Sequence, residues 1–403
     1  MPSRRGWLLL MGALLLGGAG RVLGLIELYA LGAAAAALVL ASILSVRRPG
    51  VEIEATRDLR PPRVHAGNSS RVELGLVNRG RRSPPLTAVD PFGDREARFL
   101  VPPLAGGAHH QGAYLLPAER RGIYSLGPLR LERADPFGLA TAGRAAAPAT
   151  ELTVYPRVDD LVPLPYTMGQ DPMSGSDHPT SLGPSGDELY ALRAYEIGDD
   201  LRRVHWKSTA KLGELMIRQD EMPWQGRATV VLDLRSAVHT DESLELCVSA
   251  AASILTASWN HRALLRLVTT GGFDSGFGSG AGHAEGILER LAVVGADTGS
   301  LGGVLASLRR GSGSGALAVV TTDKSADTDL AGPGRLGGRF GHVSTVVFER
   351  SAYDRWSAAQ ERGARRPEAR RSTGNAKLVR VTNEDPFAEA WNRSMSLRRR
   401  VAR

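Results

Sequence analysis

The sequence predicts a multi-domain protein with an N-terminal transmembrane helical hairpin, an all-β sandwich-like domain and an α/β doubly wound domain. Three observations lead to this prediction. Two long uncharged apolar runs open the chain, period-2 alternation broken by Pro and Gly follows them, and strand patterns then alternate with helical ones. A chain of 403 residues has room for two to three such domains.

The predicted hairpin occupies residues 1–48. Residues 6–20 and 28–46 carry no charged side chain, and a bilayer core of about 30 Å needs about twenty apolar residues per helix. Arg4 and Arg5 precede the first run and basic residues follow the second, so the positive-inside rule places both ends in the cytoplasm. We therefore expect a multi-pass protein of the cell inner membrane whose soluble part is cytoplasmic. The alternative, a cleaved signal peptide, leaves the second apolar run unexplained.

Residues 49–158 are predicted to form the sandwich-like domain. Short alternating runs separated by Pro and Gly are typical of antiparallel strands, and about a hundred residues suffice for two small sheets. Residues 135–138 (Asp-Pro-Phe-Gly) are predicted to form a turn in which the Asp135 side chain bonds to nearby backbone, rather than to a ligand. Residues 159–186 are rich in Pro, Gly, Ser and Asp, which predicts a linker.

The α/β domain is predicted to span residues 227–350. Continuous apolar runs, typical of buried parallel strands, alternate here with helical patterns such as residues 241–259. The predicted strands are residues 228–234, 263–269, 316–322 and, as the last of the sheet, 343–348. Residues 271–282 are predicted to be a floppy glycine-rich loop rather than a dinucleotide-binding one.

Residues 351–403 are predicted to form a basic C-terminal tail. Together with Arg350 they contain fourteen Lys and Arg against six Asp and Glu, which accounts for the whole net charge of +8. Such a tail on a membrane protein meets anionic lipid or a partner protein more often than a base sequence. Since aromatic-interleaved basic motifs are also absent from the sequence, nucleic acid is not expected as a partner.

No catalytic motif occurs in the sequence. The patterns G-x-S-x-G, H-E-x-x-H, C-x-x-C and G-x-x-x-x-G-K-[ST] are all absent, and the single cysteine, Cys247, lies in an apolar run where burial is expected. We therefore predict that the protein is not an enzyme. A hydrolase built on Asp199, Asp200 and His205 is the weakest alternative, because neither a nucleophile nor a metal scaffold accompanies them.

Two aspartates end predicted strands of the α/β domain, at the edge where open α/β sheets bind ligands. Asp233 ends the first strand and Asp323 follows a later one. This arrangement resembles a von Willebrand factor A-type domain, whose metal site uses an Asp-x-Ser-x-Ser turn, a distant Thr and a later Asp. Here Arg235 and Ala237 replace the two serines, and a guanidinium repels a cation. We expect Asp233 to pair with Arg235 or to hold the turn, so no cofactor is predicted; Mg²⁺ bound by Asp233 and Asp323 is the alternative.

Residues 187–226 interleave dense charge with apolar side chains. A structural interpretation makes Asp200 the cap of a helix that begins near Leu201, with Trp206 in the core. A functional interpretation makes the segment a partner-binding surface, because exposed mixed charge steers and selects partners. The residues assigned to that surface are Tyr195, Gly198, Asp199, Asp200, Arg202, Trp206 and Lys207.

The motif YEIGDDLRRVHWKSTAK, which starts at Tyr195, resembles the signature of the bacterial family named domain of unknown function 58. Val204 and Lys211 stand where that signature has Ile and Arg. The resemblance covers nearly the whole chain except the tail, and it implies a membrane-anchored protein with a degenerate von Willebrand A-like domain. It also implies a scaffold or adaptor for a MoxR-type AAA ATPase and a membrane-bound transglutaminase-like protein in envelope-related assembly. The alternative function is a divalent-metal-dependent, ligand-binding A-type domain.

Overall fold

The computed structural model of the chain describes residues 2–47, 52–165, 189–195, 204–220, 226–311, 315–354 and 376–401. The chain divides into two compact units, Met1–Tyr155 and Pro156–Arg403. The first unit contains two apolar helices and two β-sheets, and the second contains a parallel sheet with helices packed on it. The predicted pair of N-terminal apolar helices and the mixed α/β arrangement after them are confirmed.

The two apolar helices, α1 (Arg4–Leu23) and α2 (Ile26–Val46), form a hairpin. It turns at Gly24, whose φ of 68° is a conformation that glycine adopts without steric cost. The helices approach closely at small residues, since Gly32 leaves no room for a Cβ against the backbone of Ala13. Most of their apolar side chains face outward, and both helices are long and apolar enough to cross a membrane.

The described strands of the first unit form two sheets around one core. They are β1 (Ile53–Arg60), β2 (Arg63–His65), β3 (Ser69–Asn78), β4 (Leu86–Phe92), β5 (Arg95–Val101), β6 (His109–Pro117), β7 (Gly122–Leu126), β8 (Leu129–Ala134), β9 (Thr141–Ala147) and β10 (Thr150–Tyr155). One sheet has the order β1-β3-β6, and the other has the order β2-β10-β7-β4-β8-β9 with β5 paired to β4. Every second residue of β3 is buried, so the period-2 pattern of the sequence marks the face that packs inward.

A buried ion pair joins the two sheets. Arg57 on β1 donates from Nε and Nη2 to the carboxylate of Asp90 on β4, at 3.1 and 2.5 Å, and neither side chain is more than 1% exposed. Tyr114 on β6 donates its hydroxyl to the same carboxylate at 2.6 Å. Burial, and then the hydrogen bond to Asp90, raise the pKa of Tyr114 above its ordinary value, so the phenol stays protonated. Arg57 also donates from Nη1 to the Leu126 carbonyl at 2.9 Å, so one side chain ties both sheets together.

The second unit begins with a small antiparallel sheet and continues with a larger parallel one. The small sheet pairs β11 (Leu189–Ala194) with β12 (Met216–Asp220), and α3 (Trp206–Leu212) lies between them in sequence. The parallel strands are β13 (Arg227–Leu232), β14 (Leu264–Thr269), β15 (Ala316–Thr322), β16 (His342–Phe348) and β17 (Lys377–Val381). Their order is β14-β13-β15-β16-β17, so the chain switches direction across the sheet between β13 and β15. Doubly wound sheets bind ligands at such a switch point.

Helices pack on both faces of the parallel sheet. The described ones are α4 (Asp241–Asn260), α5 (Ala281–Val293), α6 (Leu301–Arg310), α7 (Asp327–Ala331), α8 (Arg350–Tyr353) and α9 (Phe387–Val401), with a 3-10 turn at Pro333–Leu336. The helix α4 contacts β13, β14, β15 and β16. Leu301, Leu305 and Leu308 of α6 belong to a separate core cluster with Val231 and Val319 that includes no residue of α4, which indicates that α4 and α6 cover opposite faces.

The C-terminal segment extends the sheet, which corrects the prediction of a tail over residues 351–403. The strand β17 pairs in parallel with β16, so residues 343–348 are not the last strand and the domain does not end at residue 350. Trp391 of α9 is fully buried and contacts Phe387, which in turn contacts Phe348. Basic residues surround these short apolar stretches, so the sequence pattern does not indicate a strand or a buried helix there.

Part of the predicted linker lies against the α/β domain. The backbone N–H of Asp159 donates to the Ser253 hydroxyl on α4 at 2.9 Å. The indole N–H of Trp391 donates to the Val162 carbonyl at 2.7 Å. The start of the segment therefore bonds to both α4 and α9. Most of residues 159–186 lies outside the described residues.

The glycine-rich stretch predicted to be a floppy loop covers an edge of the sheet. Antiparallel bridges join Val268 to Asp274 and Leu265 to Gly278, with backbone bonds of 2.9 and 3.0 Å at the second bridge. The stretch therefore shields the β14 edge, which would otherwise offer unpaired backbone groups. Glycines hid this pairing in the sequence because they interrupt the alternating pattern that is typical of a strand.

Candidate functional site

A charged cluster forms at the switch point, where β13 and β15 end. We call it the switch-point cluster, and its members are Asp233, Arg235, Thr321, Ser325 and Asp329. Asp233 follows β13, Thr321 belongs to β15, and Ser325 and Asp329 lie in the turn and helix that follow β15. Parallel strands end at the same edge of a sheet, so positions far apart in sequence meet here.

The carboxylate of Asp233 is fully buried and surrounded by donors of the protein. Arg235 donates from Nε to Oδ1 at 2.9 Å and from Nη2 to Oδ2 at 2.8 Å. The Thr321 hydroxyl donates to Oδ2 at 2.7 Å, and the Ser325 hydroxyl lies 3.2 Å from the same oxygen. The Arg235 backbone N–H adds a bond of 3.2 Å to Oδ1. A carboxylate has about four lone-pair positions, so protein donors occupy those that a metal ion would need.

These contacts fix the charges of the switch-point cluster. Burial alone raises the pKa of Asp233, but hydrogen bonds from Arg235 and Thr321 outweigh it and hold this pKa below its ordinary value. The hydrogen bond to Asp233 raises the pKa of Arg235, and Asp329 adds to the effect through a contact with Nη1 at 2.7 Å. The altered turn predicted the pairing of Asp233 with Arg235, and the structure contains it.

A second set of bonds holds the turn after β13. The Leu234 N–H donates to the Thr270 hydroxyl at 2.8 Å, and that hydroxyl donates to the Asp297 carboxylate at 3.1 Å. The Asp297 backbone N–H donates to the Leu234 carbonyl at 2.7 Å. Burial lowers the pKa of His239, so its neutral ring donates from Nε2 to the Asp233 carbonyl at 2.8 Å. These hydrogen bonds hold the backbone of the turn that carries Arg235.

Asp323, predicted to lie with Asp233, has other partners. Its carboxylate accepts from the Tyr353 hydroxyl at 2.9 Å and from the Arg350 backbone N–H at 3.1 Å. Burial, and then the charge of Asp323, raise the pKa of Tyr353. Asp329 supplies the second carboxylate at Arg235 instead. Within the described ranges, no group of three or more His, Cys, Asp or Glu is placed to hold a metal ion.

Thr270, Ser325 and Asp329 are among the contributors to this edge that sequence reasoning missed. Thr270 directly follows β14, so the rule that selected Asp233 at the end of a strand also selects it. Ser325 and Asp329 carry no comparable signal. They lie in a turn and a five-residue helix without periodicity, and only the fold brings them to Arg235.

Residues 191–339 match the family model described as protein of unknown function DUF58. The chain carries a DUF58 domain. This match confirms the family resemblance of the signature motif. It includes every member of the switch-point cluster, so that cluster belongs to the DUF58 domain. The sequence matches none of the curated proteins with which it was compared.

Solved structures are similar to parts of this chain only distantly. The CARDB domain of a Pyrococcus furiosus protein, in complex with di-metal ions, is 10% identical, with 26% of this chain and 94% of that chain covered and a TM-score of 0.21. A β-glucosidase from Listeria innocua in complex with gluconolactone is 13% identical, with 26% and 16% covered and a TM-score of 0.18. An alkylpurine DNA glycosylase from Pseudomonas fluorescens bound to DNA is 11% identical, with 32% and 38% covered and a TM-score of 0.18. Scores this low carry no argument about fold or function.

The signature segment of the DUF58 domain is described in part. Of the predicted partner-binding residues, Gly198, Asp199, Asp200 and Arg202 lie outside the described residues. The N–H of Tyr195 donates to the Leu215 carbonyl at 2.8 Å, which continues the pairing of β11 with β12. His205 caps the described helix α3, since its Nδ1 accepts from the Ser208 N–H at 3.3 Å. The predicted cap by Asp200 of a helix near Leu201 lies outside the described residues.

Trp206 lies at the surface of the DUF58 domain, which overturns its interpretation as a core residue. It is 69% exposed, Lys207 beside it is exposed, and α3 has no buried residue. Leu212 at the other end of α3 is exposed as well. Exposed Trp side chains are enriched at protein-binding surfaces, where aromatic anchors contribute much of the binding free energy.

Proposed function

We propose that the protein is a membrane-anchored scaffold whose soluble part faces the cytoplasm and binds protein partners without a metal ion. The observation that carries this proposal is the guanidinium of Arg235, held between Asp233 and Asp329 at the switch point. It places a permanent cation between two carboxylates at the edge where doubly wound sheets bind ligands. Inner-membrane anchoring through α1 and α2, with both ends cytoplasmic, follows from their apolar length and flanking arginines.

The von Willebrand A-like interpretation of the DUF58 domain is supported by the surroundings of Arg235. An A-type metal site uses a carboxylate after the first strand, hydroxyls and a later carboxylate. Here Asp233, Thr321 and Asp329 supply groups of those types. Asp233 and Asp329 accept hydrogen bonds from the guanidinium directly, and Thr321 is linked to it through Asp233. Arg235 replaces the first serine of the turn, so a side-chain cation takes the role of the bound one.

Protein binding, rather than catalysis, is supported by what the domain exposes. Trp206 and Lys207 offer an aromatic anchor with adjacent positive charge. The partners that the family resemblance implies are a MoxR-type AAA ATPase and a membrane-bound transglutaminase-like protein, in envelope-related assembly. The rival function is a divalent-metal-dependent, ligand-binding A-type domain.

Restoring both serines of the turn is expected to create a metal site. The double variant Arg235→Ser with Ala237→Ser removes the guanidinium and supplies two hydroxyl ligands beside Asp233, so it should bind Mg²⁺ and Mn²⁺ saturably. The wild-type chain should not, because Arg235 occupies the Asp233 carboxylate. Titration calorimetry of both full-length proteins in detergent measures this difference. Saturable Mg²⁺ binding by the wild type that is lost in Asp233→Ala would contradict the proposal and support the rival function.

Trp206→Ala is expected to separate partner binding from stability. The side chain is mostly exposed, so thermal unfolding should change by no more than about 0.5 kcal/mol. Capture of the MoxR-type ATPase by the tagged full-length chain in detergent should fall at least about tenfold, as for the loss of a hot-spot Trp.

The matched control is Trp391→Ala. Trp391 is fully buried, so its loss should cost about 3–5 kcal/mol of stability through the cavity that it leaves. Unchanged ATPase capture by Trp206→Ala, or an unfolding midpoint as low as that of Trp391→Ala, would count against the proposed surface.

A further inference from the structure

The loop after β8, residues 135–140, joins the sandwich to the apolar hairpin. The backbone N–H of Ser3 donates to the Leu139 carbonyl at 2.8 Å, and the Ser3 hydroxyl donates to the Gly138 carbonyl at 2.6 Å. The same hydroxyl accepts from the Gly6 N–H at 3.1 Å, as the N-cap of α1. One side chain thus starts the helix and holds the loop against it.

Asp135 fixes the loop from the inside. It is buried, and its carboxylate accepts from the N–H groups of Ala140 at 2.6 Å and Phe137 at 2.9 Å. Burial raises the pKa of Asp135, but these bonds and one from the Ser42 hydroxyl of α2 outweigh it and hold the pKa below its ordinary value. The loop therefore contacts α1 through Ser3 and α2 through Ser42, at one end of the hairpin.

Exposed aromatic and basic side chains surround this joint. Phe137 at the tip of the loop is 62% exposed. Trp7, in the first turn of α1, is also exposed, and so are Arg4, Arg5 and Arg47 at the ends of the two helices. Aromatic rings beside basic residues, at the end of apolar helices, are typical of the membrane–water interface.

We propose that residues 135–140 are a membrane-docking loop, in which Phe137 inserts among lipid headgroups while Arg4, Arg5 and Arg47 contact anionic lipid. The occupant of this surface is the bilayer, because the loop is bonded to the very helices that would span it. Insertion removes the exposed Phe137 ring from water, which is favourable in proportion to the apolar area covered. The inference rests on the membrane anchoring in the proposed function, and it adds that the sandwich is held against the bilayer rather than tethered at a distance.

A fluorophore at position 137 tests the proposal. Full-length Phe137→Cys is labelled with an environment-sensitive dye and reconstituted in vesicles of phosphatidylcholine and phosphatidylglycerol. Cys247 is buried, and burial raises the pKa of its thiol well above the ordinary value, so labelling of the folded protein is selective. The expected result is blue-shifted emission, quenched more by a lipid spin label near the headgroup than by one at the end of the acyl chain.

Leu115→Cys, labelled in the same way, is the matched control. Leu115 is 66% exposed on β6, outside the loop, so its dye should show solvent-like emission without quenching. Flotation of the vesicles tests the membrane anchor separately. Protein that floats but shows no quenching at position 137, or equal quenching at both positions, overturns the docking loop and leaves the anchor intact. Protein that does not float overturns both.

Discussion

Arg235→Met is expected to lower the opening free energy of β13 and β15 by about 3–5 kcal/mol, which is the cost of removing one partner of a buried ion pair. Asp233 is fully buried, and the substitution removes the two side-chain donors that Arg235 directs at its carboxylate. Hydrogen exchange of the full-length protein in detergent resolves the effect strand by strand.

This loss of stability is expected to depend on pH. In the wild type, the pKa of Asp233 lies below its ordinary value, so its stabilising contribution is present above the unfolded-state pKa and is lost as pH falls through the folded-state value. In Arg235→Met, burial is opposed only by the hydrogen bonds from Thr321 and the backbone, so the pKa of Asp233 should rise from its lowered wild-type value. The variant should then regain stability relative to the wild type as pH falls through the raised pKa, because Asp233 takes up a proton.

Two controls separate the buried pair from a general effect of lost charge. Arg393 makes a bidentate contact with Asp385, at 2.8 and 3.0 Å, but its side chain is 62% exposed. Arg393→Met should therefore cost at most about 1 kcal/mol. Combining Asp233→Asn with Arg235→Met removes both charges and should recover part of the loss. Equal losses of stability in Arg235→Met and Arg393→Met would show that the buried pair stabilises the protein no more than the exposed pair does.

Arg57→Met is expected to have a comparable effect in the sandwich, about 3–5 kcal/mol for a buried pair. The Asp90 carboxylate loses its hydrogen bonds from Arg57 and keeps the one from the Tyr114 hydroxyl. The Leu126 carbonyl loses its hydrogen bond from Nη1 of Arg57. Hydrogen exchange should accelerate in β1, β3, β4 and β6. Exchange in β13 to β16 should not change, because those strands belong to the other compact unit.

The control is Arg79→Met, at the residue that follows β3. Arg79 contacts Glu54 at 2.9 Å, but both side chains are exposed, so little change is expected. If Arg57→Met accelerates exchange no more than Arg79→Met does, the buried pair does not hold the two sheets together.

The sequence predicts those parts of the fold whose pattern is local. Residues 316–322 were predicted as a strand and coincide with β15, because a strand buried on both faces is a continuous apolar run. The strand β17 was missed because its sequence KLVRV alternates with charge and lies among basic residues. The helix α6 was missed because ten residues with two glycines give a weak helical pattern.

The same division applies to the candidate site. The pairing of Asp233 with Arg235 was predictable because both lie in one turn, whereas Asp329 reaches Arg235 only through the packing of the segment after β15. The structural interpretation of the sequence placed Trp206 in the core, whereas the functional interpretation assigned it to the partner-binding surface. No local pattern distinguishes a Trp that packs inside from one that is left outside.

The guanidinium at the switch point makes this edge of the sheet a permanently occupied site. A domain that holds Mg²⁺ there gains or loses its central charge with the supply of the ion, and a chelator empties it. Arg235 is covalently part of the chain, and the pKa of Asp233 is lowered while that of Arg235 is raised, so neither charge changes across the physiological pH range. Under the proposed function, control over what this surface binds would therefore act through where the protein is held and which partners reach it, and not through metal supply.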